Sequence, residues 1–110
     1  MRSMIYRKHR IDQLVLCFDT LIPEEVKKLL DCIWDDSMND ILNDCIEVEH
    51  SYNVNKVNDR WVHDSVIFIE TPEVYGIAKD ENDAELEKDR KILERIRDIL
   101  LKKSGLAEGD

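Results

Sequence analysis

Glycine and proline are scarce in this chain, with three glycines and two prolines in 110 residues, and both Gly105 and Gly109 lie near the C-terminal end. No internal linker or low-complexity tract is visible, and one domain is the natural reading for a chain in the range of about 100 to 200 residues. The same scarcity removes the loops that cradle phosphates or seat a nucleophile: GxGxxG, a P-loop and GxSxG are all absent. The internal Gly76, in YGIAK, neighbours no Ser or Cys that a backbone oxyanion hole could serve. These absences point away from an enzyme.

Long apolar runs are missing too. Leu14 to Phe18 is five residues long, and nowhere do about 18 consecutive apolar residues occur, so no membrane span is expected. The basic start (Arg2, Arg7, Lys8, Arg10) is not followed by the apolar stretch of a secretory signal, which makes a cytoplasmic protein the expectation. Cysteine is limited to Cys17, Cys32 and Cys45, with no CxxC pair, and these read as small buried hydrophobes in a reducing compartment. His9, His50 and His63 do not combine with them at ligand-pair spacings, so neither metal nor cofactor is expected.

What is present is a modest core and an excess of acid. Apolar residues make up 43 %, enough for one small globular unit, and 25 Asp plus Glu against 16 Lys plus Arg leave a net charge of −9. That balance argues against direct nucleic-acid binding, whose affinity comes from bases neutralising phosphates. It suits a basic protein partner.

Gln13 to Asp19 (QLVLCFD) suits a buried strand, although Ile11, Leu14, Val15 and Phe18 also fit one helix face. Pro23 with Glu24 and Glu25 is a helix start: proline loses nothing at the first helical position, and the acids meet the positive dipole end. Val26, Leu29, Leu30, Ile33 and Trp34, then Met38, Ile41, Leu42 and Cys45, make an apolar stripe on one helix or two, with Ser37 and Asp40 as a weak capping pair at the join. From Ile46 the period changes to two. Ile46 to Val54 reads as a half-wet strand, the polar stretch Asn55 to Arg60 as a turn, and Trp61 to Glu70 as a second strand centred on Val66 to Ile69. A turn centred near residue 57 would make His50 and His63 cross-strand neighbours. Val74 to Ile77 adds a short strand or only a loop.

The last helix opens at Asp80 to Asp83, with Asn82 and Glu85 as a capping pair. It carries Leu86, Ile92, Leu93, Ile96, Ile99 and Leu100 on one face and stops at Gly105. The expected fold is α+β: a small two-layer domain in β-α-β-β-α order, with an antiparallel or mixed sheet of three or four strands packed by two amphipathic helices. Residues 1–105 form the single domain and 106–110 a frayed tail.

Letters that suggest catalysis do not hold together. In His63-Asp64-Ser65 the strand period sends Asp64 to the opposite face from its neighbours. Glu47 and Glu49 share one strand face, but a wet face does not separate their pKa values as acid–base work requires.

One further absence is informative. From Asp31 to His50 there are seven acids and not one Lys or Arg. On a continuous helix Asp36, Asp40 and Asp44 would stack about 6 Å apart, with Asp31 and Asp35 to the side, at a cost of a few tenths of a kcal/mol per like-charged pair. Such a row suits charge-steered docking on a basic, nucleic-acid-handling protein, as a nucleic-acid mimic would dock. The candidate partner-binding residues are Asp31, Trp34, Asp35, Asp36, Asp40, Asp44, Glu47 and Glu49. Compact acidic inhibitors of phage or mobile-element type, and immunity or antitoxin proteins, share this size and charge. The alternative from another class is an oligomeric structural or adaptor domain, a homodimer assembled through the C-terminal amphipathic helix.

Overall fold

A computed structural model describes residues 1–76 and 79–106 of the chain. Its elements are β1 (Arg2–Arg7), β2 (Leu14–Leu21), α1 (Pro23–Ile33), a 3-10 turn (Asp36–Met38), the four-residue α2 (Asn39–Leu42), β3 (Glu47–Val57), β4 (Arg60–Glu70) and α3 (Lys79–Ser104). The strands form one fully antiparallel sheet in the order β1-β2-β4-β3. Each half of the chain is a hairpin followed by helix, and the second strands of the two hairpins pair at the centre. The fold is α+β, as expected, with an N-terminal strand that the expected order lacked.

β1 escapes sequence reading because neither of its faces is consistently apolar. Arg2, Met4 and Tyr6 alternate with Ser3, Ile5 and Arg7 on an edge strand that is only half covered. The bases in it and just after it find acids elsewhere in the fold: Arg2 pairs with Asp19 at 3.3 Å, Arg7 with Asp12, and Lys8 with Glu70 at 2.8 Å.

β2 is a strand and not a helix, because it is central and screened on both sides. Leu14, Leu16 and Phe18 point to the helices, while Val15 lies in register between Tyr6 and Glu70 and Cys17 between Met4 and Phe68. Its register against β4 shifts between Phe18 and Leu21, where Thr20 takes a left-handed φ of 54°. Residues three apart on a regular strand face opposite ways. The extra residue of this bulge lets both Phe18 and Leu21 face the helices, as their partners Ile67 and Ser65 do.

The β3–β4 hairpin closes on Val57 and Arg60 across only Asn58 and Asp59, whose φ values of 50° and 61° suit a type I′ turn. The strands therefore run further than the polar stretch Asn55 to Arg60 suggested, and the register moves. His50 lies opposite Ile67, and His63 opposite Val54. The two histidines are not cross-strand neighbours. After β4 the chain leaves the sheet: residues 73–76 form no strand, Val74 donates its N–H to the Asp12 carbonyl at 2.7 Å, and Ile77 falls outside the described residues.

α1 begins at Pro23, and the Glu25 carboxylate accepts the Ile22 N–H at 3.1 Å. Val26, Leu29 and Ile33 are buried against the sheet together with Leu86, Leu93, Ile96 and Leu100 of α3. The helical path breaks after Ile33. Asp35, not Ser37, caps the turn that follows, accepting the Ser37 N–H at 2.8 Å. Met38 is fully buried, and Ile41, Leu42 and Cys45 pack at the margin of the core, so the apolar stripe survives although the helix does not. α3 ends at Gly105, whose φ of 70° lets its N–H reach the Leu101 carbonyl at 3.1 Å. Asn82 lies within the first turn of α3 and donates to Asp12 at 2.7 Å, tying that helix to the β1–β2 loop. Residues 107–110 of the expected tail lie outside the described residues.

A left-handed conformation strains β-branched threonine more than aspartate. Thr20→Gly should raise the unfolding free energy by roughly 1 kcal/mol and Asp59→Gly by about half that, after allowing for the entropy glycine adds to the unfolded chain. Urea denaturation of the two variants measures this, with Thr20→Gly expected to show the larger gain.

Candidate protein-binding surface

The eight acidic-region residues are all exposed, and they divide between two sides of the molecule. Asp31 lies in the last turn of α1, Trp34 ends that helix, and Asp35 and Asp36 open the 3-10 turn. Asp40 lies in α2 and Asp44 just after it. Because the helix breaks at Trp34, Asp36, Asp40 and Asp44 belong to three separate local structures and do not form the evenly spaced row expected of one helix. Glu47 and Glu49 project from the sheet face opposite the helices, in register with Glu70 and Phe68.

Bases from elsewhere in the chain border the first group. The Lys103 ammonium donates to the Ser37 hydroxyl, and Arg95 lines a cavity of about 200 Å³ with Asp40, Asp44 and Ile41. Even so, among the described residues no ion pair within 4 Å reaches any of these seven carboxylates. Asp35 is held below the usual carboxylate range by the hydrogen bond from the Ser37 N–H and, next, by the Ser37 hydroxyl. Trp34 stands 70 % exposed, three residues after Asp31 and directly before Asp35 and Asp36 in the chain.

A second feature was not legible in the sequence. A groove of about 380 Å³ runs between α1 and the helix-facing side of β3, with Val26, Leu30 and Asp31 on one wall and His50 and Tyr52 on the other. From Ser65 toward the turn nearly every hairpin residue is exposed, Trp61 at 67 %, and Tyr52, opposite Ser65, is itself 56 % exposed. The Tyr52 hydroxyl shares a hydrogen bond with His63 Nδ1, their rings lie 5.7 Å apart, and Lys56 sits 5.8 Å from the Trp61 ring. Hairpin length is what sequence reading missed, and with it the aromatic tip.

The cysteines behave as packing groups. Burial pushes the Cys17 and Cys45 thiols up to about 11, and burial also raises Cys32. In His63-Asp64-Ser65, Asp64 pairs with Asn53 on the open face while His63 and Ser65 face the helices, so the three do not converge. Among the described residues no three His, Cys, Asp or Glu side chains gather as a metal site. No helix among them is long and apolar enough to cross a membrane. Neither a protein family, nor a curated protein, nor a solved structure matches this chain.

Asp89 of α3 lies within the influence of Glu85 on its own helix and of Asp44. Burial, then Glu85, raises its pKa above 3.8, Asp44 adds to the effect, and the nearby Thr71 side chain opposes it. A carboxyl whose folded pKa is raised stabilises the fold most below its unfolded pKa, and that contribution is lost as pH rises through the folded value. Asp89→Asn should therefore raise the thermal midpoint at pH 7, and the gain should vanish once the pH is brought below 3.8. Melting curves of the two proteins across this range test it.

Proposed function

We propose that this protein is a non-enzymatic binding protein that blocks or modulates a basic protein partner through the acidic surface around Trp34. The observation that carries this reading is the indole itself. Leaving a large apolar side chain in water forgoes about 1.5–3 kcal/mol of burial, and the break after α1 leaves Trp34 70 % exposed. Tryptophan and arginine dominate the energetics of protein interfaces, and an indole among carboxylates accommodates a guanidinium by cation–π contact and charge together. Asp31, Asp35 and Asp36 then supply steering.

A nucleic-acid-handling protein remains the natural class of basic partner. The support for it is charge complementarity, since the acids lack the regular phosphate-like interval of a single helical ladder. Assembly through α3 finds less support: Leu86, Leu93, Ile96 and Leu100 are spent on the core, with Ile92, Ile99 and Leu101 packed at its margin.

Two variants test the reading. Asp36→Lys/Asp40→Lys/Asp44→Lys and Trp34→Ala should keep the far-UV circular dichroism of the wild type and lose the basic proteins that the wild type captures from its native host. Capture should also fall steeply between low salt and about 1 M salt, where the Debye length shrinks to about 3 Å. Equal capture by wild type and both variants would overturn the proposal.

A further inference from the structure

β3 is an edge strand with nothing paired to its outer side among the described residues. It is eleven residues long, has no proline, and keeps an unbroken register with β4 from Glu47 to Val57. Edge strands are ordinarily shortened, bulged or covered, because a row of free N–H and C=O groups invites another strand. The opposite edge, β1, has six residues and ends in ion pairs. β3 has none of these protections along most of its length.

The register fixes which groups are free. A two-residue turn closes on a hydrogen-bonded pair, here Val57 with Arg60, and such pairs alternate along an antiparallel ladder. Odd-numbered residues of β3 thus bond to β4. The N–H and C=O groups of Val48, His50, Tyr52, Val54 and Lys56 point outward from the sheet.

A strand added there would alternate its side chains between two different environments. On the helix side, residues opposite His50 and Tyr52 would enter the groove walled by Val26 and Leu30, whose rim residues Lys27 and Asp31 cancel in charge. On the open side, residues opposite Glu47 and Glu49 would meet exposed carboxylates that, among the described residues, have no ion pair within 4 Å. We infer that the outer edge of β3 and the groove beneath α1 accept an extended segment of a partner chain, with apolar side chains toward the helices and basic ones toward Glu47 and Glu49, as a fifth strand of the sheet. The inference rests on the reading of a basic partner and adds the conformation and pattern of what that partner presents.

The probe is the nine-residue peptide Lys-Val-Lys-Val-Lys-Val-Lys-Val-Lys, titrated into the full chain and followed by amide hydrogen exchange and calorimetry. The expected result is binding with slowed exchange at His50, Tyr52 and Val54, and no binding by the same peptide N-methylated at alternate residues. His50→Pro removes one outward N–H and no bond to β4. It should weaken binding about tenfold, which is ~1.4 kcal/mol, while circular dichroism stays unchanged. If that variant unfolds, the N-methylated peptide on the wild type still decides the matter. Glu47→Lys/Glu49→Lys should weaken binding and reverse preference toward a Glu-Val peptide of equal length.

Three results would overturn the inference. One is equal binding of a block peptide, five lysines followed by four valines, without protection of β3. Another is protection of the β3 amides in the free protein together with a dimer mass in light scattering, which would place a second copy on this edge. The third is no binding of the alternating peptide. Because the readout is local to β3, a protein that captures basic partners through Trp34 yet leaves these amides unprotected fails here alone.

Discussion

The antiparallel pairing of β2 with β4 is the constraint on which the rest of the molecule depends. Each strand is the inner member of its own hairpin, so this single seam joins the two halves of the chain. Val15 to Phe18 run in register with Glu70 to Ile67, and the bulge at Thr20 then turns Leu21 inward to start α1 over the sheet. Both long helices bury their stripes on the same face, against Leu14, Leu16, Phe18, Ile67 and Ile69. A slip of one residue along this seam would exchange the two faces and expose the core. The buried side chains of Gln13 and Thr71 reinforce the seam's end: Gln13 donates to the Thr71 carbonyl at 2.6 Å, and Thr71 to the Leu14 carbonyl at 3.3 Å.

With both helices on one side, the opposite sheet face carries the remaining polar and charged work. Lys8 binds Glu70 there beside Glu47, while the N-terminal arginines pair with Asp19 and Asp12. The basic start of the chain is thereby largely spent within the fold. Among the described residues the acids from Asp31 to Glu49 receive no such partner at ion-pair distance, although Arg95 and Lys103 border them. Net charge by itself would not have separated these two cases. Geometry does, and it concentrates what is unsatisfied around Trp34 and along β3.

The architecture was largely legible from local signals with strong physical causes. Pro23, Gly105, the aliphatic spacing of α3 and the change of period at Ile46 each act within a few residues of where they stand. β1 was not legible, because an edge strand half covered on both faces has no alternation to display. The Trp34 break was hidden because the apolar stripe continues through Met38 and Cys45 whether or not the backbone stays helical. The hairpin register depended on Asn58 and Asp59 both taking left-handed conformations, which displaced the expected His50–His63 pairing and lengthened both strands. The groove could not be anticipated for a different reason: it depends on where α1 lies over the sheet, a long-range contact between residues 23–31 and 50–65.

The candidate surface divides along the same line. That residues 31–50 carry seven acids and no base, and that Trp34 sits among them, is a property of the chain alone. Segment composition also determined the two-layer α+β class, since amphipathic helices and half-wet strands have few ways to bury their apolar faces. Tertiary structure decided which acids share a side, separating Glu47 and Glu49 from the aspartates of the helical layer. It also brought the bases of α3 beside Asp40, Asp44 and Ser37, and left β3 at an open edge. Those outcomes depend on contacts between residues far apart in sequence, and only strand order and register decide such contacts.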